Sequence, residues 1–189
     1  MEKKDLLKDV IKHIDIKSYN STELVDAMRN MSFTSRDTAR AADILMMMCK
    51  EKECTNILTL AGSTSAAGCM QVYVDMVRNK MIDVVVATGA SIIDMDLFEA
   101  LGYKHYIGEK ENVIPDTTLR DLYIDRIYDT YIDEEELQAC DHSTYELANM
   151  LEARPYSSRE FIYEIGKWLH EGHAVKKDSL IQTCYECGV

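Results

Sequence analysis

The sequence predicts an α/β fold, a parallel sheet with covering helices that is incomplete as the chain stands and is preceded by an N-terminal helical segment. Two short apolar runs, Asn56-Ile-Leu-Thr-Leu60 and Ile82-Asp-Val-Val-Val86, are each followed by a loop of small residues and then by a helical pattern. Both runs are apolar on both faces, as strands buried in a parallel sheet are. The order strand, loop, helix, strand, loop, helix is what parallel strands joined by right-handed crossover helices require.

Each element has its own local signal. Leu6, Val10 and Ile14 recur four apart and predict a first helix; Ser21 with Glu23 opens a second over Glu23–Arg29, and Ser35 caps a third over Arg36–Cys49 with Asp37 in its first turn. After the first strand a helix is expected from about Ala66 to Asn79, and after the second strand another ending at Leu101. His105-Tyr-Ile107 reads as a short third strand. Leu119, Tyr123, Ile127 and Tyr131 repeat every four residues and predict a helix; Leu137, Cys140, Thr144, Leu147 and Leu151 predict an antiparallel one after the acidic start Asp133 to Glu136. Ser157–Leu169, capped by Ser157 or Ser158 with Glu160 in its first turn, and Asp178–Cys187 are two more, with Gly188 at the C-cap. Two confident strands beneath this many helices fall short of a complete sheet. The chain is therefore expected to be one half of a longer unit.

The 189 residues suit a single domain, since roughly 100–200 residues per domain is usual. With 47% apolar and 29% charged residues the composition is that of a globular protein, and no apolar run approaches the roughly 18 residues of a membrane span. The N-terminus interleaves charge with apolar residues and lacks a signal-peptide pattern, so a cytoplasmic location is expected. A net charge of −12 disfavours nucleic acid and anionic lipid as partners and favours a polyamine or a basic protein surface; it also serves solubility. Six cysteines without a secretory signal are expected as free thiols. The lone Cys184-Tyr-Glu-Cys187 has no second pair to complete a zinc site, and the five histidines form no metal-binding spacing beyond His170 and His173 near one helix end. No catalytic triad or Cys-His order is legible.

The chemistry gathers in two loops. In Ala61-Gly-Ser-Thr-Ser-Ala-Ala-Gly68 small side chains let backbone N–H groups approach a ligand, and the following helix presents its positive end. The loop matches neither G-x-G-x-x-G nor the P-loop, so spacing alone leaves it open between a nucleotide cradle and a tight turn. Thr88-Gly-Ala-Ser91 repeats the arrangement on the second strand. Loops at the carboxyl ends of adjacent parallel strands face one crevice, where open α/β sheets bind ligands. Asp94 and Asp96 follow; each either complements a helix dipole or pairs with a ribose hydroxyl or an amine, and Asp94, nearer the loop, is the better candidate.

Leu58 to Gly102, Asp121 to Leu137, Arg154 to Leu169 and Asp178 to Val189 together resemble the deoxyhypusine synthase family, closest to its bacterial and archaeal synthase-like branch. The resemblance implies a Rossmann-like, NAD-dependent transferase. In that chemistry NAD oxidises spermidine, and the aminobutyl group passes as an imine to an enzyme lysine and then to a lysine of a translation factor. It implies tetramers with sites at dimer interfaces. The family's first NAD loop falls on Gly62, Ser63, Thr64, Ser65 and Ala66, the second on Thr88, Gly89 and Ala90, and an acidic cofactor- and substrate-contacting position on Asp94. Residues 1–52 then form the N-terminal helical segment and residues 53–189 the first half of the NAD-binding domain.

Two departures stand out: Ser63 replaces the family's usual Asn, and the acidic pair after the second loop becomes Ile93-Asp94. The resemblance places the nucleophilic lysine, the polyamine carboxylates and a later glycine-rich NAD loop beyond Val189, so no catalytic residue and no metal ligand is expected here. The expected partners are spermidine or a related polyamine and either a C-terminal half or a full-length paralogue, in a homo- or hetero-oligomer. Three alternatives stay open: a non-catalytic partner of a full-length paralogue, part of a homospermidine synthase-like enzyme acting on a free amine, and a self-sufficient nucleotide-binding module.

Overall fold

The computed structural model of the chain describes residues 1–108, 114–176 and 178–189. Strands β1 (Ile57–Leu60) and β2 (Val84–Ala87) pair in parallel, with Ile57 opposite Val84 and Leu60 opposite Ala87. The crossover is α4 (Met70–Arg78), whose Met70, Val74 and Val77 recur at helical spacing and pack with Leu60, Ile82 and Leu180. The α/β class and the parallel pairing thus hold.

The strands are buried on one face only. Leu58, Leu60, Val85 and Ala87 join the core around α4, whereas Ile57, Val84 and Val86 remain 56%, 39% and 55% exposed. The expectation of two buried faces fails because α4 and the last helix gather on one side. Among the described residues nothing covers the other.

A second sheet was not legible. Strand β3 (His105–Ile107) pairs antiparallel with β5 (Thr130–Asp133), which pairs with β4 (Ile124–Ile127) in the order β3-β5-β4. The helix expected through Leu119, Tyr123, Ile127 and Tyr131 is instead a short helix, α6 (Asp116–Asp121), followed by a hairpin that turns at Tyr128 and Asp129. Tyr128 takes a positive φ of 55°, as a two-residue hairpin turn demands. The first expected helix is also corrected: α1 stops at Lys3–Leu6, and the chain then runs extended along β3, with Ile11 N–H donating to His105 O and Ile107 N–H to Asp9 O. Both errors have one cause. Residues four apart share a face in a helix and in a strand alike.

The remaining helices follow their signals. α2 (Thr22–Met28) and α3 (Phe33–Lys50) pack on each other, α3 starting after Ser32, three residues before the expected cap. α7 (Glu134–Met150) is capped by Asp133, which accepts from Glu135 and Glu136 N–H. α8 (Ser158–Trp168) opens with the Ser157 and Glu160 capping box and continues through a wider turn, Leu169–His173. α9 (Leu180–Cys187) ends at Gly188 in the left-handed conformation. A π-helical run, Ala90–Leu97, leads into α5 (Phe98–Ala100); Leu97 and Phe98 meet Ile132, Cys140, Leu147, Ile165, Leu169 and Ile181 in the main core.

One buried carboxylate ties the chain's distant parts together. Glu99 Oε2 lies 2.5 Å from His13 Nε2 and 2.6 Å from the Lys176 ammonium, and Oε1 lies 3.0 Å from His105 Nδ1. Burial pushes this carboxyl up, but hydrogen bonds from His105 and His13 and the Lys176 charge outweigh it and hold the group well below the usual range. No helix among the described residues is long and apolar enough to cross a membrane. All six cysteines are free.

Replacing Glu99 with Ala leaves two histidines and a lysine facing a cavity and is expected to cost about 3–5 kcal/mol in urea unfolding. Because the folded carboxyl is depressed, its contribution is complete above the ordinary value of 4.5 and is lost as pH falls below it, so acid unfolding of the variant should be less steep in that range. Burial pushes the Cys140 and Cys184 thiols up to about 12, while Cys49 and Cys187 are exposed. Alkylation by iodoacetamide at pH 8 should modify Cys49 and Cys187 in the folded chain and reach Cys140 and Cys184 only on unfolding, as read by peptide mass mapping.

Candidate functional site

Beyond Leu60 the chain turns at Gly62, whose φ of +69° lies in the region that L side chains rarely adopt. A wide helical turn over Ser65–Cys69 follows, broken at Gly68, where φ is +94° and a Cβ would stand 3.0 Å from the Lys12 carbonyl oxygen. Only glycine lets the N-terminal segment lie this close; Ile14 N–H donates to Gly68 O there. Regular α4 therefore begins at Met70, four residues later than the sequence suggested. Ser65 and Ala66 are buried, Ser63 is half-buried, and Gly62 and Thr64 are exposed.

The second loop is joined to the first. Thr88 N–H donates to Leu60 O, prolonging the ladder past β2. Thr88 Oγ1 lies 3.2 Å from Ser91 Oγ, and Ser91 Oγ donates to Gly62 O at 3.1 Å. The structure thus brings residues 62–66 and 88–91 together at the carboxyl ends of the two strands. They form an open rim, with Thr88, Gly89 and Ala90 all exposed. A Cβ on Gly89 would meet nothing within 4 Å. The Ser65 hydroxyl is buried and has no partner among the described residues, while Thr64 Oγ1 accepts from Tyr73 OH at 2.8 Å.

The two acidic candidates separate. Asp94 is half-buried; burial, and then the charge of Asp141 on α7, push its carboxyl up. Its charge also raises the Cys140 thiol, so α7 lies within electrostatic reach of Asp94. Asp96 is fully buried and accepts from Leu180 and Ile181 N–H at 2.8 and 2.7 Å, capping α9 rather than complementing its own helix. Burial pushes this carboxyl up to about 6 despite the two amide donors.

Sequence reasoning missed Tyr73, Ser91 and Asp96 as the residues that fix the loops and the last helix. Ser91 was visible as a small residue after the loop, but its reach to Gly62 depends on strand pairing. The histidines of the tail part company: His170 Nδ1 lies 3.1 Å from Glu186 Oε1, and His173 stacks on Trp168 with centroids 4.4 Å apart. No cluster of His, Cys, Asp or Glu suited to a metal occurs among the described residues. The rim can offer backbone N–H groups and hydroxyls to an anionic or ribose-like ligand.

Parallel strands carrying paired small-residue loops at their carboxyl ends define an open-sheet α/β protein with a candidate ligand rim at its topological crevice. The family model for deoxyhypusine synthase matches residues 23–189, and the chain belongs to that family. It is 64% identical over 188 residues to a deoxyhypusine synthase-like protein of Caulobacter vibrioides, covering 100% of this chain and 51% of that one. It is 58% identical over 184 residues to the like-named protein of Coxiella burnetii, covering 97% of this chain and 52% of the relative. The chain thus spans about half the length of these curated relatives. A crystal structure from Entamoeba histolytica assigned as a deoxyhypusine synthase superposes with a TM-score of 0.58 at 20% identity, covering 95% of this chain and 62% of that one, and agrees in fold.

Ser91→Ala should remove the link between the loops and cost about 1 kcal/mol, whereas Asp96→Ala orphans two buried N–H groups and should cost about 2–3 kcal/mol. Chemical denaturation of both variants checks the size and the order.

Proposed function

We propose that the chain is the NAD-binding part of a deoxyhypusine synthase-like aminobutyltransferase that uses spermidine and needs a C-terminal half for catalysis. The observation that carries this reading is the Ser91 to Gly62 hydrogen bond, which joins two small-residue loops into one rim in a chain of this family. The residues present fit a dinucleotide: the buried Ser65 hydroxyl lacks a partner among the described residues, and open space surrounds Gly62 and Gly89. Gly62, Ser63, Thr64, Ser65 and Ala66 would hold NAD from one side and Thr88, Gly89 and Ala90 from the other. When bound, NAD supplies an acceptor for hydride from the amine.

This chain's own work is binding and orientation. Backbone N–H groups at the starts of the two helical turns meet negative oxygens, and the small side chains leave room for that approach. Asp94 would face an ammonium group of the polyamine, where a cation relieves its repulsion from Asp141. The net charge of −12 favours a cationic substrate over a nucleic acid. Residues 1–52 serve as the helical segment and 53–189 as the first half of the cofactor domain, in a cytoplasmic oligomer that is a tetramer by family resemblance. Part of a homospermidine synthase-like enzyme is the variant in which a free amine accepts the aminobutyl group.

The coverage of about half of each relative supports a second reading equally, that of a non-catalytic partner of a full-length paralogue. Sequencing the chains that co-purify separates the two: a complementary fragment supports the split enzyme and a full-length paralogue the regulator.

Titrating the chain with NAD should raise its thermal midpoint. Adding the second half of the Caulobacter relative should then give spermidine-dependent NADH formation. Absence of an NAD-dependent shift in both samples removes the cofactor assignment. Ser63→Tyr and Gly89→Val should abolish the shift while the variants stay folded; unchanged affinity in both counts against the loops.

A further inference from the structure

Each hydroxyl of the rim has one proton to donate, and the hydrogen bonds between the loops fix where those protons point. Ser91 Oγ donates to the Gly62 carbonyl oxygen, so its proton is committed. Thr88 Oγ1, 3.2 Å from Ser91 Oγ, is then the donor of that pair, and it also accepts from Ser91 N–H at 3.4 Å. Neither hydroxyl of the second loop keeps a proton for a ligand. The first loop is the reverse case. Thr64 stands at the N-cap of the turn Ser65–Cys69, where a threonine side chain ordinarily accepts from a backbone N–H of the turn, yet it makes no capping bond. Its Oγ1 accepts instead from Tyr73 OH at 2.8 Å, and no acceptor for its own proton occurs among the described residues. The buried Ser65 hydroxyl has no partner among them either.

Tyr73 reaches Thr64 because of how a helix aims its side chains. It lies in the first turn of α4, and helical side chains lean toward the N-terminus, back over the turn that Thr64 opens. Its ring packs against the cluster of Leu60, Met70, Val74 and Leu180, so the hydroxyl is carried by an anchored, rigid body. We propose that Tyr73 is a positioning residue for the ligand of the rim: by donating to Thr64 Oγ1 it turns the Thr64 proton outward onto a negative oxygen of the ligand, which assigns the diphosphate of a dinucleotide to the first loop. The inference rests on the reading of the rim as a dinucleotide site. A hydroxyl that accepts a hydrogen bond becomes a stronger donor, so Tyr73 polarises Thr64 without any proton being transferred. Hydrogen bonds to charged oxygens are roughly twice as strong as neutral ones, so an anion gains most from a donor left free in this way. The second loop, its hydroxyl protons committed, serves the ligand through backbone N–H groups and through Thr88 Oγ1 as an acceptor from a ribose hydroxyl.

Tyr73→Phe keeps the ring and removes the donor, and Thr64→Val keeps the shape of an exposed side chain and removes the hydroxyl. Both should leave the circular dichroism and the thermal midpoint of the free chain unchanged. In calorimetric titrations of the full chain with NAD, each should bind roughly tenfold more weakly than the parent, and the double variant no more weakly than either alone, because both changes break one line of donation. Thr64→Ser, which restores a hydroxyl at the same place, should bind like the parent. Phosphorus NMR of the saturated complexes should show the diphosphate resonances displaced between the parent and Tyr73→Phe. Parent-like affinity in Tyr73→Phe overturns the proposal and leaves the rim reading standing; so do losses that multiply in the double variant, and so do diphosphate resonances that stay in place. If the parent itself does not bind NAD, the rim reading falls and the proposal with it.

Discussion

The arrangement of the chain depends on Glu99. A carboxylate removed from water is tolerated only when charge and hydrogen bonds replace its hydration, and here the partners come from three remote places: His13 in the N-terminal segment, His105 on β3 and Lys176 ahead of α9. Holding His13 fixes the extended segment beside it, and one residue on, Ile14 binds the carbonyl of Gly68. The first small-residue loop therefore takes its shape partly from residues some fifty positions earlier in the chain. Asp96, one turn before Glu99, does the same for the far end by holding the first amides of α9. Two buried acids on one helical run thus connect both sheets, the loops and the last helix.

What the loops require is mostly absence. Side chains at Gly62, Ala66, Gly89 and Ala90 are missing or minimal, so a ligand could reach the backbone, and a single serine hydroxyl sets the spacing between the two loops. Binding and chemistry are separable in such a design, because small residues position a ligand but cannot carry a proton. Burial pushes the Cys140 and Cys184 thiols, which pack against the core, up to about 12 and so keeps them protonated. A sheet of two strands, apolar on a face that nothing described covers, matches a chain of half the relatives' length.

Where the sequence carried a local chemical signal, it was legible. Ser157 with Glu160 named a capping box and Gly188 a helix stop, and both hold because the atoms involved lie within one turn of each other. The two strand, loop and helix units were legible for the same reason, through β-branched runs that end in small residues. Spacing failed where it was degenerate. Leu6, Val10 and Ile14, and again Leu119, Tyr123, Ile127 and Tyr131, sit four apart, a separation that keeps one face in a helix and in a strand. In both cases pairing with β3 or β5 decided for the strand.

The sequence by itself determined the α/β class, the parallel pair, most helix ends and the two loops, since each rests on short-range propensity and on the residues a tight turn admits. Tertiary structure alone decided that the loops touch, that Asp96 caps a helix some eighty residues away, and that Asp94 comes within the field of Asp141. It also decided that, among the described residues, β2 pairs with β1 alone. Those outcomes depend on which segments meet after folding. No local pattern encodes a hydrogen bond or a charge repulsion between groups whose separation is set by the packing of the whole chain.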